Sequence, residues 1–177
     1  MRILSSFLWD LLIRLGLTGL SQPKWSATIE DEWQRNLLAN RTELTLEQIQ
    51  RTAALMNATV PNAMITGFEP LTESVDLPDL DDRHVVAAAV RSNAETIVTS
   101  NLKEFPVPVL DAFGIEVLHQ DDFLMDFFDL NRALVLSAVN SQLSKLRKPP
   151  MSVDDYLEAL LRQGMAQTVK GLSKYRL

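Results

Sequence analysis

Apolar residues recur at helical spacing along much of the chain. Leu8, Leu11, Leu12 and Leu15 fall on one face of a first helix, roughly Ser6 to Leu20. Pro23 interrupts, and a second helix starts near Ser26 or Thr28, with Ile29, Trp33 and Leu37 stacked on its inner face. Thr45 followed three residues later by Gln48 is a capping-box pattern, and it opens a third helix with Leu46, Ile49, Ala53 and Met56 as its stripe. Residues 57–80 read as short strand and loop, punctuated by Pro61, Gly67, Pro70 and Pro78.

The pattern then changes. Asp82 is placed to cap a helix running from His84 to Arg91. Residues 96–99, Thr-Ile-Val-Thr, form a short apolar, β-branched run that predicts a buried strand. A loop from Asn101 to Pro106 follows, then a second short strand at Ile115–Leu118 and a helix from Asp121 or Asp122 through Phe128. Helices alternating with short buried strands predict an α/β fold with a parallel sheet and helices on its faces.

Beyond residue 131 only helical patterns remain. Leu136, Val139, Leu143 and Leu146 mark one helix, ended by Pro149-Pro150. Ser152 with Asp155 resembles a second capping box, opening a helix on Val153, Tyr156, Leu157 and Leu160 that Gly164 closes. A weaker helix runs to about Tyr175. Residues 1–130 are thus read as the α/β domain and 131–177 as a helical appendage.

Composition narrows the chemistry. The chain has 177 residues, 46% hydrophobic and 23% charged, the proportions of one soluble domain with a small addition. It has no cysteine, which excludes disulfides, a thiol nucleophile and cysteine-ligated metals. Two histidines, His84 and His119, are too few for a three-histidine metal site. The glycines make no phosphate-binding loop. The apolar start is broken by Asp10 and Arg14 and lacks a small-residue cleavage site, so neither a leader nor a membrane span is expected, and a cytoplasmic protein is. The net charge of −6 is uneven: residues 1–131 hold 20 acids and 9 bases, residues 132–177 hold 3 acids and 8 bases. An acidic body suits a cation and a basic tail suits a polyanion, although a solubilising surface would look the same.

Glu69 to Asp82 carries six acids and no base, ending in Asp79-Leu-Asp81-Asp82 at a helix start. Helix capping accounts for one such acid. Three in four residues repel one another unless a cation or solvent compensates, and clustered carboxylates are hard ligands suited to Mg²⁺ or Mn²⁺. Asn101 and Glu104 lie just past the strand at 96–99, at the carboxyl end where open parallel sheets bind ligands, or else in a plain surface turn. Glu32, beside Trp33, is a third candidate or an ordinary exposed acid. Asp82 and His84, two apart, point to different sides of a helix and make no dyad. His119 ends a strand with no partner nearby in sequence.

Residues 76–90, DLPDLDDRHVVAAAV, with 97–106, IVTSNLKEFP, resemble PIN-domain proteins. The likeness is to the bacterial branch akin to VapC toxins that ends in an additional helical region. Trp25-Ser26, Glu30-Asp-Glu-Trp33, Asn36-Leu37, Gly114-Ile115 and His119-Gln-Asp-Asp-Phe-Leu124 match the same branch. The resemblance implies a three-layer α/β/α fold and a Mg²⁺- or Mn²⁺-dependent endoribonuclease of a toxin–antitoxin system. Its partners would be an RNA substrate and a cognate antitoxin. It assigns metal-binding roles to Glu32, Asp82 and Asn101, with Glu104 as a further acid. Lys145, Arg147 and Lys148 of the basic tail are then the expected RNA contacts. Trp9 and the apolar first helix would offer an antitoxin or homodimer surface, or pack in the core.

One feature departs from the family pattern. PIN domains open on a strand ending in a metal-binding Asp. Aligning Leu8–Leu20 with the family's first helix leaves no residues for that strand, and Asp10 lies within the helix. A late start codon or a degenerate gene would give this pattern, and impaired cleavage is expected of residues 1–177. The alternative is a non-catalytic module that binds antitoxin or RNA.

Overall fold

A computed structural model describes residues 6–42, 44–146, 150–175 and 177. The chain falls into two compact units, one within Gln22–His119 and one joining the first helix to the elements from Gln120 onward.

The first unit is α/β. Its elements are β1 (Trp25–Ser26), α2 (Ala27–Asn40), α3 (Leu46–Thr59), β2 (Met64–Ile65), α4 (Arg83–Ser92), β3 (Thr96–Thr99), α5 (Val107–Asp111) and β4 (Glu116–His119). Single 3-10 segments lie at Glu69–Ser74, Leu80–Asp82 and Leu102–Glu104. The strands pair in parallel as predicted, but among the described residues they form two separate pairs, β1–β2 and β3–β4. Trp25 faces Met64 in the first, and Thr96 to Thr99 face Glu116 to His119 in the second.

Helix α4 packs on β1, β2 and β3. Its Ala-rich run explains how. Val86 and Ala89 enter a core with Val75, Leu77, Ile97, Phe105, Leu110 and Ile115. Ala87 and Ala88 meet Phe68 in a second cluster. Small side chains let one helix bury several faces at close approach. Asn93, with φ of +52°, ends α4, and the Ala94 N–H donates to the Ala89 carbonyl at 2.9 Å.

Local signals place the helix starts. The Ser26 side chain accepts from the Ile29 N–H and starts α2. Thr45 and Gln48 form the expected capping box of α3. Leu46, assigned to the inner stripe of α3, is instead exposed, because Ile49 and Ala53 define the buried face. Asp82 corrects another expectation. It stands just before α4, at the N-cap, but makes no capping hydrogen bond; its backbone is already helical and its side chain is buried. Helix α5 follows the expected loop; its five residues, with Pro108, are too short to show a periodicity in the sequence.

The second unit is helical: α1 (Ser6–Leu17), α6 (Gln120–Lys145), α7 (Val153–Arg162) and α8 (Ala166–Leu172). Helix α1 packs on α6, burying Leu8, Leu11, Ile13 and Leu15. Helix α6 kinks at Asn131 (φ −153°, ψ 82°), whose side chain accepts from the Leu134 N–H and so starts a second helical segment. Residue 131, where the helical appendage was expected to begin, lies inside α6. The Ser152–Asp155 capping box opens α7. Gly164, with φ of +79°, closes it: the Gly164 and Met165 N–H groups return to the carbonyls of Leu161 and Leu160. Gln142 is a buried polar group on α6, held at both ends by donating to the Phe7 carbonyl and accepting from the Tyr156 hydroxyl at 2.6 Å. Burial pushes the Tyr156 phenol well above its ordinary value.

The buried Asp121 caps a helix other than its own. Its carboxylate accepts from the N–H groups of Gln167 (2.8 Å) and Thr168 (2.9 Å), in the first turn of α8, where Met165 offers no side-chain cap. Asp121→Ala strands both donors. Hydrogen bonds to a charged group are worth roughly 1.5–3 kcal/mol each, so losing two is expected to cost about 3–6 kcal/mol in urea unfolding. A change below about 0.5 kcal/mol would remove this account of α8.

Candidate metal centre

Three carboxylates converge in the first unit. Oxygens of Asp79, Asp82 and Glu104 all lie within 4.8 Å of one another. Local geometry brings the first two together. Leu80–Asp82 is a 3-10 segment, in which residues three apart eclipse, so Asp79 and Asp82 stand one above the other. Asp79 also holds the turn, its Oδ1 accepting from the Asp81 N–H at 2.9 Å. Asp81 is exposed. Glu104 arrives from the 3-10 segment beyond β3, and Asn101 orients it by donating from Nδ2 to Glu104 Oε1 at 3.3 Å.

Glu32 arrives from α2. It shares a cleft of about 310 Å³ with Asp79, Asp81 and Asp82, together with Arg35, Asn36 and Ala39. Its Oε1 accepts from His84 Nε2 at 3.1 Å, and its Oε2 is buried without a hydrogen-bond partner among the described residues. Of the four predicted metal-site residues, Asp82 is thus grouped with Glu104 in the carboxylate cluster and with Glu32 in the cleft, while Asn101 reaches the cluster through Glu104.

Sequence reasoning missed two participants. Asp79 was read as one of an acidic run, although its three-residue spacing from Asp82 was the usable signal. His84 makes no dyad with Asp82, as its spacing predicts, but it pairs with Glu32, 52 positions away. Of the expected RNA contacts, Lys145 is exposed in the last turn of α6. Arg147 and Lys148 lie outside the described residues.

Electrostatics favours a cation here. Asp82 is only 1% exposed. Burial pushes its carboxyl above the ordinary value, the charges of Asp79 and Glu32 push the same way, and His84 opposes them. A buried carboxylate with two further acids beside it, offering only oxygen donors, fits a hard divalent cation.

Residues 3–103 match the family model described as PIN domain, and residues 120–174 match the one described as VapC50 C-terminal domain. The chain is 38% identical over 115 residues to the Mycobacterium tuberculosis protein named "Putative ribonuclease VapC50". That match covers 60% of this chain and 65% of the relative's length. No solved structure matches. The chain therefore belongs to the PIN-domain family, in its VapC-like branch with a VapC50-type C-terminal extension.

Proposed function

We propose that this protein is a divalent-metal-dependent endoribonuclease of the VapC type, acting on RNA and held by a cognate antitoxin. The observation that carries this reading is the convergence of Asp79, Asp82 and Glu104, with Glu32 in the adjoining cleft, inside a PIN domain. Mg²⁺ or Mn²⁺ bound there would activate a water for in-line attack on a phosphodiester. The chain's residues have separable tasks. Asp79, Asp82, Glu104 and Glu32 would hold the cation, and Asn101 would orient Glu104. Arg35, the cation among the residues lining the cleft, would meet the phosphate. Lys145, with Arg147 and Lys148, would hold the RNA backbone. The complete three-layer α/β/α arrangement belongs to the same proposal.

Among the described residues no helix is long and apolar enough to cross a membrane. The basic C-terminal tail suits a polyanionic RNA, whose binding should weaken steeply with salt.

Cleavage of a labelled single-stranded RNA with Mn²⁺ tests the reading, and EDTA should stop it. The family resemblance also places an acid on a strand ahead of α1, and residues 1–9 contain none. We therefore propose that residues 1–177 alone cleave weakly. A chain extended by a strand ending in Asp should cleave on the order of a hundredfold faster, since about 1 Å of misplacement has that effect. RNA or antitoxin binding without cleavage by either chain would favour a non-catalytic module.

A further inference from the structure

Glu32 and His84 come from different helices and meet at 3.1 Å. A carboxylate accepts, so the Nε2–H of His84 donates to Oε1. Both side chains are withdrawn from water, His84 at 11% and Glu32 at 21% exposure. The other carboxylate oxygen, Oε2, is buried and takes no hydrogen bond among the described residues. Leaving a buried charged acceptor half-satisfied is costly unless something else meets it. The start of α4 acts as a fork: Asp82 turns toward Asp79 and Glu104, while His84, two residues on, turns toward α2.

We propose that His84 is a positioning residue of the metal centre: its Nε2–H fixes the Glu32 carboxylate through Oε1 so that Oε2 is presented to a divalent cation. This rests on the metal-centre reading above and extends it to a residue that holds no metal itself. His84 is a poor candidate for a direct ligand through Nε2, because that nitrogen is committed to Glu32. The role is orientation. A free Glu side chain has three soft torsions, and the hydrogen bond selects one arrangement before the cation arrives. Outer-shell partners of this kind are worth about 10–100-fold in metal affinity.

Calorimetric titration of the EDTA-stripped chain with Mn²⁺ tests the proposal, with thermal unfolding in EDTA as the check on folding. His84→Leu should weaken Mn²⁺ binding by about 10–100-fold. His84→Gln, which keeps a donor near the Nε2 position, should stay within about threefold of the wild type. In a Glu32→Gln background, His84→Leu should add little, because its target carboxylate is gone. Should His84→Leu fail to fold, His84→Met, of similar reach and without a donor, takes its place. Undiminished Mn²⁺ binding by the leucine variant would overturn the proposal. So would an equal loss in the glutamine variant, or a full further loss in the Glu32→Gln background. A wild-type chain that binds no Mn²⁺ at all would instead overturn the metal-centre reading, and the role of His84 with it.

Discussion

Adding Mn²⁺ is expected to raise the melting temperature of this protein by roughly 5–10 °C at a concentration about a hundred times its dissociation constant. Mass action supplies about 2.7 kcal/mol there, and about 1 kcal/mol shifts a chain of this size by 2–4 °C. The Asp82→Asn variant should show the opposite balance. Burial raises the Asp82 carboxyl above its ordinary value, with Asp79 and Glu32 adding to the shift. A carboxyl that holds its proton more tightly in the folded state contributes stability below the unfolded carboxylate range. It loses that contribution as pH rises through the folded value. At neutral pH the metal-free wild type therefore carries a buried charge that disfavours folding, and asparagine removes it. Metal-free Asp82→Asn should melt about 2–4 °C above the wild type at neutral pH. The gap should shrink toward acid, and Mn²⁺ should shift the variant little. A wild type as stable as Asp82→Asn in EDTA, and equally unmoved by Mn²⁺, would show that the cluster is not tuned for a cation.

The parts legible in the sequence were those governed by near neighbours. Both capping boxes, the start of α2 at Ser26 and the glycine closing α7 depend on residues within five positions of each other. The strand at 96–99 was visible as a short β-branched, apolar run, and the one expected at 115–118 lies one residue on, at 116–119. The partition of the sheet was not visible, since pairing between segments tens of residues apart leaves no local trace. The grouping of α1 with the C-terminal helices was hidden for the same reason; its amphipathic face shows that it packs, and only the fold shows against what. In the site, Asp82 was legible as an acid at a helix start, but its capping role was not realised. The 3-10 turn ahead of α4 carries the chain into helical geometry early and turns the carboxylate inward. Asp121 illustrates the same limit: an acid in the first turn of α6 reads as serving that helix, whereas its carboxylate serves α8.

RNA cleavage should separate the acids of the run that ends at Asp82. Asp79, Asp81 and Asp82 all line the cleft, so a merely acidic surface would lose activity in proportion to charge, whichever residue is changed. The geometry draws a sharper distinction. Oxygens of Asp79 and Asp82 approach Glu104 and each other within 4.8 Å, and Asp81, on the exposed side of the 3-10 turn, is not part of that group. A ligand that fixes a metal also fixes the attacking water, and a displacement of about 1 Å is enough to cost on the order of a hundredfold in rate. In the N-terminally extended chain, Asp82→Asn and Asp79→Asn are each expected to lower cleavage by at least about a hundredfold. Asp81→Asn should change it by less than about threefold, the scale of one exposed charge acting through water. Asp79→Asn must be compared with Asp79→Ala, because Asp79 also accepts from the Asp81 N–H. The asparagine oxygen can preserve that turn while removing the charge, so a loss shared by both variants belongs to the carboxylate and not to the backbone. Equal, modest losses at all three positions would show that the cleft works through its overall field, and the assignment of Asp79 and Asp82 as ligands would fail.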